Sequence, residues 1–100
     1  MRILWLDQAE HDLEEIVDYL LWRDPQAAAR IYDAIRRRVE LLATQPAIGR
    51  FGRVRDTREL VIARTPYIVA YTVDQHIDAV IILRVLHSAR QWPDDLASVT

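Results

Sequence analysis

Apolar positions recur along this chain with two different periods, and the change of period divides it. Residues 2–6, Arg-Ile-Leu-Trp-Leu, are apolar, tolerate extended backbone and stop at Asp7, which predicts a short first strand. Beyond it Ala9, Leu13, Ile16, Val17 and Leu20 fall at helical spacing, while Glu10, Asp12, Glu14, Glu15 and Asp18 fill the remaining arc. Asp7 is placed to cap this helix, with Glu10 as the acid of a capping box. Asp24-Pro25 then sets a cap residue before a proline, whose missing amide does no harm at the first helical position, so a second helix follows after a short turn. Its stripe is Ala28, Ile31, Ile35, Val39 and Leu42, with Arg36, Arg37 and Arg38 elsewhere, and it must end before Pro46.

Residues 46–56 hold both glycines, Gly49 and Gly52, and read as a loop. After it the pattern becomes β-branched and aromatic over 57–63, 67–73 and 77–87, divided by Arg64-Thr65-Pro66 and by Asp74-Gln75-His76. Connections this short imply hairpins. The predicted order is β-α-α-β-β-β, an α+β fold in which an N-terminal helical hairpin packs on one face of a mainly antiparallel sheet. Residues 1–93 read as a single domain in which Trp92 and Pro93 close the last strand, and 94–100 as a loose, polar tail.

Composition narrows this further. One hundred residues with 51% hydrophobic side chains can bury roughly 60–70% of the unfolded surface, enough for one core. The absence of Cys removes disulfides, thiolate metal sites and a cysteine nucleophile, and suits a reducing cytoplasm. Three His give a weak case for a metal, and neither a metal nor a cofactor is expected. No apolar run approaches the roughly 20 residues of a membrane helix.

The net charge of -2 conceals a polarised layout. Residues 1–35 carry eight acids against three Arg, and residues 36–64 carry eight Arg against Glu40, Asp56 and Glu59. Every basic residue is Arg. The cluster Arg50, Arg53, Arg55, Arg58 and Arg64 could pair bidentately with phosphates or meet acidic groups, either of a partner or of the first helix. His87, with Arg84 three residues before it and Arg90 three after, could be a general acid or base or a structural histidine. Tyr67 and Tyr71 alternate onto one strand face, where core packing accounts for them, and Trp5, Trp22 and Trp92 are first of all large hydrophobes. No Ser-His-Asp spacing and no phosphate-cradling glycine loop is present.

The helical pair together with Pro46-Ala-Ile-Gly49-Arg50, Thr57-Arg-Glu-Leu-Val-Ile62, Pro66-Tyr-Ile-Val69 and the block 84–93, Arg-Val-Leu-His-Ser-Ala-Arg-Gln-Trp-Pro, resembles the RelE/ParE toxin superfamily over residues 3–93. The resemblance implies a growth-arresting toxin of a type II toxin-antitoxin system, silenced by a cognate ParD-like antitoxin in a hetero-oligomer such as a heterotetramer. It also implies one of two targets: DNA gyrase in the ParE branch, or the ribosome and its mRNA in the RelE branch. RelE-like nucleases carry basic residues along the sheet strands, where this chain has Glu59, Val61, Ala63 and Ile68. The expectation is therefore a ParE-like gyrase inhibitor with no catalytic residues. The alternative is a metal-independent endoribonuclease using His87, Arg84 and Arg90. Target or antitoxin contacts are expected from Arg50, Arg53, Arg55, Arg58, Arg64, Arg84, His87, Arg90 and Trp92.

Overall fold

The computed structural model describes residues 1–89. Arg90, Trp92, Pro93 and the tail 94–100 lie outside the described residues, with the readings placed on them. The chain runs β1 (Arg2–Trp5), α1 (Asp7–Arg23), α2 (Pro25–Glu40), a short 3-10 turn (Leu41–Ala43), β2 (Arg50–Phe51), β3 (Arg58–Val61), β4 (Tyr67–Asp74) and β5 (Ala79–His87). The strands form one five-stranded sheet in the order β1-β5-β4-β3-β2. All neighbours are antiparallel except β1 and β5, which run parallel with Arg2 opposite Ala79 and Trp5 opposite Ile82. A parallel pair requires a crossover, and the helical hairpin and the following strands supply it.

The predicted α+β fold and its helical hairpin are what the structure has, with local differences. Leu6, not Asp7, is the N-cap of α1, and no side chain caps that end; Asp7 is the first helical residue and adds negative charge to the first turn. Glu10 does not complete a capping box but reaches Arg36 of α2 at 2.9 Å. Arg36 also lies over the Trp5 and Tyr32 rings, at 4.3 and 5.2 Å, which fixes α2 against β1. The second cap is as predicted: the Asp24 carboxylate accepts the Ala27 N–H at 3.1 Å and Pro25 opens α2. The loop over 46–56 contains β2, a two-residue strand too short to show a period.

Both helical stripes bury against the sheet. Leu13, Ile31, Ile35, Val39 and Leu42 meet Leu60, Ile62, Tyr67, Val69, Tyr71, Val80, Ile82 and Val85 in the main core. Each such Leu or Ile contributes about 1.5–3 kcal/mol. Trp5 and Ile16 pack at its margin, whereas Trp22, at the end of α1, is 91% exposed. A smaller cluster of Ala70 and Leu83, with Val54, Ile81 and Leu86, forms separately from this core.

Candidate functional site

Strand β5 carries Arg84 and His87, and a bulge decides how they are placed. Ala70 pairs with Arg84 but Tyr71 pairs with Ile82, so β5 carries one extra residue around Leu83. The extra residue resets the alternation, and Ile82 and Val85 both join the main core while Leu83 and Leu86 join the smaller cluster. β1 covers β5 only as far as Ile82, after which the outer edge of β5 meets α1 instead of a strand. There Asp12 takes the place of a paired strand: its Oδ2 accepts the Val85 N–H at 3.0 Å. The same carboxylate accepts Arg84 Nε at 2.7 Å and Nη2 at 3.0 Å, a two-pronged ion pair with both side chains largely buried. Gln8 adds a fourth bond to Asp12 Oδ1 at 3.2 Å. Asp12, expected on the solvated arc of α1, is thus a buried anchor.

His87 ends this strand half-buried, its ring edge-on to Tyr67 at a centroid distance of 5.8 Å. The Ala89 N–H donates to His87 Nδ1 at 3.1 Å, which leaves the proton of a neutral ring on Nε2. His87, Tyr67 and Arg84 line a groove of about 670 Å³ together with Asp12, Ile16 and Tyr19 of α1.

The Arg cluster of residues 50–64 is divided in space. Four of its members stand on the β2–β3 hairpin, and the fifth, Arg64, occupies the turn at the other end of β3 with a left-handed φ of 66°. Within the hairpin Glu59 is 3% exposed and acts as the fixed point. It accepts the Arg53 N–H at 2.8 Å, Arg53 Nε at 3.3 Å and Arg50 Nη2 at 3.1 Å. Burial works to raise the Glu59 pKa, but the Arg53 N–H and the two guanidiniums outweigh it and hold the carboxyl below its ordinary value. Arg58 donates to the carbonyls of Ala47 and Gly49 at 3.2 and 2.8 Å and lies 4.5 Å over the Phe51 ring. Arg55 is exposed.

Tyr71 ties the preceding loop to the core. Fully buried, its hydroxyl donates to the Pro46 carbonyl at 2.7 Å and accepts the Gly49 N–H at 2.9 Å. Burial raises its pKa, against the opposing pull of the Gly49 N–H and Arg58. Gly49 is required here because a Cβ would fall 2.5–2.9 Å from the tyrosine hydroxyl and ring.

The chain and its fold have known relatives. Residues 3–92 match the family model described as the ParE toxin of the type II toxin-antitoxin system parDE. The chain belongs to the ParE toxin family. It is 44% identical over 95 residues to a Sinorhizobium fredii protein named toxin Y4kP, covering 95% of this chain and 96% of that one. It is 37% identical to toxin RelE3 of Caulobacter vibrioides, over 81% of this chain and 87% of the relative. Among solved structures, a chain of the chromosomal ParDE system from P. aeruginosa superposes with a TM-score of 0.77 at 26% identity, over 87% of this chain and 95% of that chain.

In this ParE-family toxin, sequence reasoning singled out Arg84, His87 and the Arg cluster but missed the acids that organise them. Asp12 was one carboxylate among many, and Glu59 was read only as a strand position lacking a cation. The one available signal for Glu59 was a carboxylate inside a predicted strand, between Arg58 and the apolar run Leu60-Val61-Ile62. Among the described residues no three metal-binding side chains cluster, and no helix is long and apolar enough to cross a membrane.

Proposed function

We propose that this toxin arrests growth in the cytoplasm by holding DNA gyrase on cleaved DNA, and that a ParD-like antitoxin silences it in a hetero-oligomer such as a heterotetramer. The observation that carries the reading is the engagement of Arg84 with Asp12. Cutting RNA needs a base for the 2'-hydroxyl, a cation at the phosphate and an acid for the leaving oxygen, each conferring about 10²-fold or more. Arg84 is held by a buried carboxylate with its own side chain only 14% exposed, and Glu59 and Ile68, at strand positions that would otherwise supply cations, are themselves buried. His87 alone does not make that set. A gyrase poison needs none of it, because stabilising the cleaved state over the resealed one is differential binding.

The groove that joins His87 to Tyr67 and Arg84 supports a second reading, an mRNA endonuclease in which His87, Arg84 and Arg90 act together. One experiment separates the two. Purified toxin is given to gyrase with supercoiled plasmid and, separately, to ribosomes programmed with message; linear DNA and intact message are expected. Message cleavage that disappears in His87→Ala, with no linear DNA, overturns the gyrase reading. Antitoxin binding is read by co-expressing the adjacent small gene and purifying on a tag carried by one chain; recovery of the toxin alone refutes it.

A further inference from the structure

Phe51 is 82% exposed, on a strand of two residues that are both exposed. A lone aromatic in that position forfeits most of its burial energy. The hairpin beneath it is nevertheless tied by hydrogen bonds. The Gly52 N–H donates to the Thr57 carbonyl at 2.9 Å, the Thr57 N–H to Val54 at 3.2 Å, and Thr72 Oγ1 of β4 to Asp56 at 2.7 Å. Arg58 covers one face of the Phe51 ring. Around it, the Arg50 and Arg53 side chains are 58% and 46% exposed and are oriented from below by buried Glu59, and Arg55 is exposed.

We propose that this hairpin binds single-stranded nucleic acid, with a base stacked on Phe51 and the flanking phosphates on Arg50, Arg53 and Arg55. The chemistry matches on two counts. Guanidiniums pair bidentately with phosphate oxygens, and Glu59 orients two of them in advance at little entropic cost. A flat, protruding ring backed by a cation is a stacking platform for any base, because every base has a π-face. A purely acidic peptide would satisfy the charges but offers no flat group to lie against the Phe51 ring, whereas a nucleotide carries the anion and the flat group together. Duplex DNA offers phosphates but no free base face. The inference extends the gyrase reading, in which the toxin acts where DNA is broken and its strands are open, but its test does not depend on gyrase.

The test is fluorescence anisotropy of the full chain with a labelled single-stranded oligothymidylate at several salt concentrations, against the duplex of the same length. The single strand is expected to bind more tightly than the duplex. Phe51→Ala is expected to weaken it by roughly five- to a hundredfold, with thermal unfolding unchanged, and Phe51→Trp to retain it. Arg55→Ala is expected to lower the log–log salt slope by about 0.7. Equal binding of both forms, indifference to Phe51→Ala, or displacement by a polyglutamate peptide with Phe51→Ala behaving as wild type would each overturn the proposal. A toxin that binds the oligonucleotide but leaves plasmid supercoiled with gyrase refutes the gyrase reading alone; one that linearises plasmid without binding the oligonucleotide refutes this inference alone.

Discussion

Arg84 and Asp12, 72 residues apart in sequence, meet through two hydrogen bonds of 2.7 and 3.0 Å at the point where β1 stops covering β5. The pair joins the first helix to the last strand, and it seals a sheet edge that would otherwise present an open backbone amide at Val85.

Replacing Asp12 by Ala is therefore expected to destabilise the protein by about 3–5 kcal/mol, because it leaves a largely buried guanidinium without its carboxylate and the Val85 amide without its acceptor. Asp12→Asn keeps an acceptor oxygen and should cost less. Urea unfolding measures both, and a midpoint for Asp12→Ala within error of wild type would show that the pair is not structural.

The fold was legible in the chain because its helices keep one apolar period and its longer strands are rich in β-branched and aromatic residues. The stripes through Leu13 and Ile16, and through Ile31, Ile35 and Val39, needed only spacing, and Asp24-Pro25 marked a boundary by local chemistry that no tertiary contact has to supply. What sequence could not show was long-range pairing. Asp12 is indistinguishable from Glu14 and Glu15 until α1 is laid beside β5, and the bulge that sends Leu83 and Val85 to different clusters has no glycine to announce it. The same reason divided the Arg cluster: five guanidiniums close in sequence sit at two ends of β3, three of them sorted by Glu59, Phe51 and loop carbonyls.

Glu59 makes the hairpin sensitive to acid. Its folded pKa lies below the ordinary value of 4.5, so its ionised form contributes stability that is present above about pH 4.5 and is lost as pH falls through the lower, folded value. Thermal midpoints of wild type should fall across that acidic window, and Glu59→Gln should flatten this part of the curve while losing about 1–3 kcal/mol at neutral pH. Because Arg50 and Arg53 are half exposed, added salt should shrink the difference. Parallel curves for the two proteins would refute the assignment.

Tyr71 and Gly49 should respond unequally to removal of one atom and addition of another. Tyr71→Phe deprives the buried Gly49 N–H and the Pro46 carbonyl of their partner and is expected to cost about 1–3 kcal/mol. Gly49→Ala forces a methyl group onto the tyrosine ring and is expected to cost at least as much, with the loop over 46–49 displaced. Hydrogen exchange at the Gly49 amide reads both; protection unchanged in Tyr71→Phe would place its hydrogen bond elsewhere.

The remaining Arg residues separate stability from toxicity. Arg55 and Arg64 are exposed, so their replacement by Ala should shift stability by less than about 0.5 kcal/mol on charge alone. Arg64 carries an additional term, since its φ of 66° is a backbone state that disfavours any side chain with a Cβ. Arg64→Gly should therefore be at least as stable as wild type, whereas Arg64→Val should be less stable, because a β-branched residue tolerates that state worst. Arg50→Ala and Arg53→Ala each remove a partner from buried Glu59 and should cost more than either exposed change. Growth arrest measured beside thermal unfolding then sorts the set. Loss of toxicity in Arg55→Ala or Arg64→Gly at wild-type stability marks a contact with target or antitoxin, while loss that tracks unfolding across all four positions returns these residues to the architecture of the hairpin and its turn.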